Sequence, residues 1–136
     1  MAKIVLTDAK VSIGTVDLSD CVTSIDYSQE ADDKETTTFG AAGGWRTRVG
    51  GLKQGSVTID FLQDYATGKV HQTINGLLGT IATVTVQPAS GTATASNPQF
   101  VIPCLVTTVQ LVNGAVGDLA TESITWPTTG TPTVNP

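Results

Sequence analysis

The sequence predicts a mostly β protein: a β-sandwich or barrel with one flanking α-helix and a long inter-strand loop or hairpin. Three observations carry this. Charged residues make up 14% of the 136-residue chain, against about 25% in an average soluble domain. Threonine occurs 23 times, and exchanging charge for β-branched hydroxyl residues favours pleated strands over helices. Apolar and polar residues alternate through several short segments, whereas one segment alone has helical spacing.

Taken in order, Val11 to Ser19 reads as two short extended pieces around Gly14-Thr15, a two-residue hairpin. From Cys21 to Tyr27, Cys21, Thr23, Ile25 and Tyr27 fall on one strand face and Val22, Ser24 and Asp26 on the other. "QEADDKE" (29 to 35) is a solvated, mostly acidic turn or strand edge; Thr36 to Phe39 is extended, and 40 to 51 has no steady period. "SVTIDF" (56 to 61) is the cleanest strand, with Val57, Ile59 and Phe61 on one side. Val70, Ile74, Leu77 and Leu78 have helical spacing, with Thr67 as N-cap and Gly79 past the end. Gly76 inside this helix costs about 1 kcal/mol relative to alanine, so it must lean on a sheet. "IATVTV" (81 to 86) alternates until Pro88, and 89 to 98 is a polar loop. Gln99 to Val112 is a long extended run in which Pro103, lacking an N–H, implies an edge or bulge. Asn113-Gly114 turns the chain and Leu119 to Trp126 returns. Residues 127–136, with three prolines and no apolar period, read as a Pro/Thr-rich tail on a single domain spanning 1–126.

Charge excludes some roles. Seven basic against twelve acidic residues, with a net charge of −5, argue against a general nucleic-acid binder, which must neutralise phosphates, and against an anionic membrane surface. Met1 to Lys10 has Asp8 where a signal peptide needs an apolar run, and no window approaches the ~20 apolar residues of a membrane span. A cytoplasmic site of synthesis is expected, and with it free thiols at Cys21 and Cys104, each in an alternating apolar segment.

No catalytic constellation emerges. His71 is the single histidine, which disfavours a zinc site. Glu30, Asp32, Asp33 and Glu35 lack the alternating spacing and central glycine of a calcium loop. "GGLKQGS" has no Gly-Lys-Ser/Thr step and precedes a strand, unlike a phosphate loop. Neither enzyme activity, nor a cofactor, nor a metal is expected.

The segment "FGAAGGWRTRVGGLKQG" (39 to 55) gathers Arg46, Arg48 and Lys53 around Trp45 in an acidic chain. When extended, Arg46 and Arg48 share a face and present two guanidinium forks. Three readings stand side by side. The arginines pair with the chain's own Asp32, Asp33 or Glu35; or Trp45 stacks on a sugar in a carbohydrate-binding module; or the loop is a subunit contact, since tryptophan and arginine dominate interface hot spots.

"VSIGTVDLSDCVTSIDY", "ETTTFGAAGGWRTRVGGLKQGSVTIDF", "NPQFVIPCLVTTV" and "VGDLATESITWP" together resemble the major tail tube proteins of long non-contractile-tailed bacteriophages, the siphophage type, particularly those infecting actinobacteria. The resemblance runs from about Val11 to Pro127 and lies in order and spacing. It implies a β-sandwich flanked by a helix, with six subunits per ring and rings stacked into a hollow tube that conducts the genome. The expected setting is a virion assembled in a host cytoplasm, with tape measure and baseplate or terminator proteins as partners and DNA as transiting cargo. The family's long inter-strand loop matches Phe39 to Gly55. On this resemblance Phe39, Trp45, Arg46, Arg48 and Lys53 are interface residues, and Asp118 or Glu122 of a neighbour is the acid facing the arginines. Ser56, Thr58 and Asp60, turned from the core, are candidates for the lumen wall. The alternatives are a monomeric carbohydrate-binding β-sandwich and a capsid-decoration or tail-completion protein of similar fold.

Overall fold

Two antiparallel sheets pack face to face in a computed structural model that describes residues 3–40 and 42–135; Met1, Ala2, Pro136 and Ala41 of the long loop lie outside the described residues. The strands are β1 (Lys10–Ile13), β2 (Val16–Asp17), β3 (Val22–Glu35), β4 (Arg48–Leu62), β5 (Ile81–Gln87), β6 (Gln99–Leu105), β7 (Thr121–Pro127) and β8 (Thr133–Asn135). One sheet has the order β2-β1-β5-β6-β8, the other β3-β4-β7. A mostly β sandwich with one short helix is therefore what the sequence specifies.

Alternation places the core. Val57, Ile59 and Phe61 of β4 are buried with Ile124 and Trp126 of β7, facing Val11, Ile13, Val84 and Ile102 of the other sheet. The hairpin at Gly14-Thr15 joins β1 to β2, with Ile13 opposite Val16; Gly14 takes φ 63°, which a side chain tolerates poorly. Cys21 and Cys104 are buried and unbridged.

Four elements differ from the sequence reading. Thr23 is an extra residue, a β-bulge between the pairs Val22↔Phe61 and Ser24↔Asp60, so it turns outward and donates its hydroxyl to the Asp60 carbonyl at 3.2 Å. The helix α1 spans only Val70–Ile74 before a 3-10 turn at Asn75–Leu77, and its N-cap is Lys69, not Thr67. Gly68 at φ 78° separates Thr67 from the helical turn. The start is held instead by the Lys69–Asp20 ion pair, 2.7 Å, and by the His71 N–H donating to the Asp64 carbonyl. The run after Pro103 leaves the sheet at Leu105, where its pairing with β5 ends at Ile81↔Leu105; β8 pairs only with Gln99, Phe100 and Val101, so Pro103 lies beyond it and its missing N–H costs no bond to β8. Finally, residues 127–135 are no free tail. The Thr128 N–H donates to the Gly55 carbonyl and the Thr129 N–H to the Pro103 carbonyl, linking the two sheets before β8 joins the second.

Candidate subunit interface

The acidic stretch and the glycine-rich stretch form one structure. β3 and β4 continue past the sandwich as a two-stranded arm, paired from Gln29↔Gly55 to Glu35↔Arg48 and capped by the Thr36 N–H donating to the Thr47 carbonyl, 2.8 Å. Seven residues at about 3.4 Å each give the arm a length of about 24 Å. Both of its faces are exposed, which is why no period marks it in the sequence. At its root, a β-carbon on Gly55 would lie 2.8 Å from the Ser28 carbonyl oxygen. Gly55→Ala is expected to cost about 1–3 kcal/mol by forcing backbone apart, measurable as a lowered urea midpoint. Midway, Gly51 and Leu52 face Asp32 alone, a second bulge between Ala31↔Lys53 and Asp33↔Gly50. At the tip Gly43 and Gly44 take φ 71° and 75°, turning the chain into Trp45.

The arginines are engaged within the arm. Arg46 donates to Glu35 at 3.0 Å and Arg48 to Asp33 at 2.6 Å. Exposed pairs of this kind contribute about 0.2–1 kcal/mol each, so they stiffen the ribbon more than they stabilise the fold. Lys53 sits opposite Ala31 and makes none of the three ion pairs among the described residues. What the arm leaves unpartnered is apolar: Phe39, Trp45, Val49 and Leu52 are 112%, 78%, 55% and 82% exposed. The composition did not flag Val49 and Leu52, which two-sided exposure makes conspicuous only in the fold.

Of the two candidate acids, Asp118 is exposed in the turn before β7, at the end of the sheet away from the arm. Glu122 is not available to a neighbour: it is 1% exposed on the inner face of β7. Its carboxylate accepts from the Gln110 N–H at 3.2 Å and from the Gln63 side-chain amide at 3.3 Å, fastening the β6–β7 loop to the end of β4. The burial of its carboxyl raises its pKa, against the opposing pull of those two donors and of His71. A carboxyl raised in the folded state contributes most stability below its ordinary value of 4.5 and loses that contribution as pH rises through the folded value. Wild type is therefore expected to gain stability relative to Glu122→Gln between pH 7 and pH 5, read by denaturant unfolding at both.

Ser56, Thr58 and Asp60 come together on the outer face of the three-stranded sheet. Rows run across it as Asp26, Thr58, Thr125 and as Ser24, Asp60, Ser123. The Ser123 hydroxyl donates to Asp60 at 2.6 Å, and Thr58 and Thr125 share a hydrogen bond at 3.2 Å. Along these rows the face is hydroxyl and acid, with Leu62 exposed at its far end, and it is flanked on one side by the outer edge of β3. The β7 edge is partly covered, since the Ser123 N–H is taken by the Gln110 side chain and Pro127 has no N–H to offer. Among the described residues no group of three or more His, Cys, Asp or Glu is placed to hold a metal ion, and no helix is long and apolar enough to cross a membrane.

No family model matches the chain, and no curated protein matches its sequence. Solved structures match its fold. A chain in the virion of a native gene transfer agent particle superposes with a TM-score of 0.69 at 16% identity, over 85% of this chain and 85% of that one. A chain in the tail of an empty gene transfer agent particle, refined helically with C6 symmetry, gives 0.66 at 16% identity, over 85% of this chain and 83% of that one. The shared feature at this identity is the fold, across most of both chains.

Proposed function

We propose that this chain is a structural virion protein that polymerises as stacked hexameric rings into a tail tube, the conduit for DNA delivery. The observation that carries the reading is the fold shared, over most of its length, with a chain of a C6-symmetric tail. The surface supports it. β3 ends its sheet with a 14-residue strand that no further strand covers among the described residues, and joining copies edge to edge removes such a liability. The hydroxyl and acid face around Ser56, Thr58 and Asp60 then turns inward. Six copies at −5 each carry −30 per ring, and a lumen of that sign repels phosphates, so a duplex slides without sticking. Tape measure and baseplate or terminator proteins are the partners of such a tube, and the non-contractile type rests on the sequence resemblance.

Negative-stain microscopy of the purified chain tests this. Long hollow cylinders with six-fold end views are the expected result. Single rings favour a tail-completion role, and particles that stay monomeric at high concentration overturn the assembly reading.

A further inference from the structure

We propose that the arm tip of one copy, led by Trp45 with Phe39 six residues before it, seats in an apolar cleft at the root of the arm of a second copy. This rests on the tube reading, in that the partner is another molecule of the same chain. The cleft has a volume of about 500 Å³ and is lined by Leu6, Ile25, Tyr27, Val86 and Phe100 among others. It opens between the two sheets where β3 leaves the sandwich. Tyr27 and Phe100 meet there edge to face, ring centroids 6.0 Å apart, leaving aromatic surface for a further ring.

Aromatic residues are scarce, and their placement is informative. The chain has seven. Phe61 and Trp126 are in the core and Tyr65 is tied by its hydroxyl to the Leu111 carbonyl. The other four divide evenly between a projecting tip, Phe39 and Trp45, and the concave cleft, Tyr27 and Phe100. A tryptophan and a phenylalanine in water each forgo burial of about 150–250 Å², and the mostly apolar lining of the cleft offers part of it.

The chain cannot fill its own cleft. Tyr27 lies two residues before the arm, whose rungs run from Gln29↔Gly55 to Glu35↔Arg48, so an arm of about 24 Å holds the tip away from its own root. Folding it back would break the rungs from Gln29 to Glu35. Plug and socket therefore lie at opposite ends of one paired ribbon, and each copy gives the one and offers the other. Such a head-to-tail contact closes into a ring or propagates as a helical stack, depending on the rotation between copies.

Acrylamide quenching of the wild type reads the tip directly, because Trp126 is 0% exposed and Trp45 78% exposed. A quenchable tryptophan in dispersed subunits is expected to be lost on assembly, with a blue shift in emission. A Trp45 that remains quenchable in assembled material overturns the proposal. Location is read with Trp45→Cys combined with Leu6→Cys: oxidation of assembled material should give a ladder of cross-linked copies that neither single variant gives. The native thiols stay out of this reaction, since Cys21 is 6% and Cys104 0% exposed and burial pushes the Cys104 pKa up to about 11. Assembled double variant without a ladder overturns the cleft assignment and leaves the tube intact. Should the double variant not assemble, the wild-type quenching decides. A wild type that never associates overturns the tube reading and this proposal together.

Discussion

The double variant Arg46→Glu, Arg48→Glu is expected to abolish tube growth while leaving a folded monomer. In the free chain these arginines face Glu35 and Asp33, so the change sets four carboxylates along one exposed ribbon. Like charges directly opposite one another on paired strands are destabilising. The sandwich does not depend on them, since its core lies below Gly55, so circular dichroism and the melting temperature should stay close to wild type. A compensating variant separates the two roles of the arginines. Adding Asp33→Arg and Glu35→Arg to the double variant restores complementarity inside the arm, and growth is expected to return. If the arginines instead meet acids on another copy, the fourfold variant remains monomeric. Restored growth therefore identifies the pairs as stiffeners of the arm, and sustained growth of the original double variant removes the arginines from the interface.

The largest effect on stability is expected from Trp126→Ala. The side chain is fully buried, and its indole N–H donates to the Thr108 carbonyl at 2.9 Å, holding the segment after β6 against β7. Truncating a buried tryptophan costs about 3–5 kcal/mol, a loss of about 10–20 °C in melting temperature for a domain of this size. Thermal unfolding of the dispersed subunit measures it. A shift of only a few degrees would mean that the site collapses around the missing ring.

What was legible in the sequence follows the contrast between a buried and an exposed face. "SVTIDF" and "IATVTV" announced β4 and β5 because one side of each is core, and the Gly14-Thr15 hairpin was legible because its turn demands a particular residue. The outer half of β3 and of β4 gave no period, since both faces of the arm meet water and nothing selects apolar residues at every second position. β8 was hidden for the same reason: its three residues are all exposed and held by backbone pairing. Thr23 misled because a bulge shifts the period by one residue without altering composition. Glu122 misled because its burial depends on Gln63 and Gln110, partners that no local pattern connects to it. The basic cluster drew attention to the right segment for an incomplete reason. Its charges are answered within the arm, and the aromatic and aliphatic side chains beside them are what remains unsatisfied.

The order in which the two sheets become possible has a consequence for biosynthesis. The β3–β4 ladder is complete once Phe61 has been made, with rungs spanning 13 to 39 residues. The opposing sheet pairs Lys10 with Gln87 and closes only when Asn135 reaches Gln99. While the ribosome works through that interval, Val57, Ile59 and Phe61 form a ready-made greasy ribbon with nothing to cover it, and distant pairings of this kind are slow to form. A chain made in many copies at once would pass them all through a crowded, sticky adolescence.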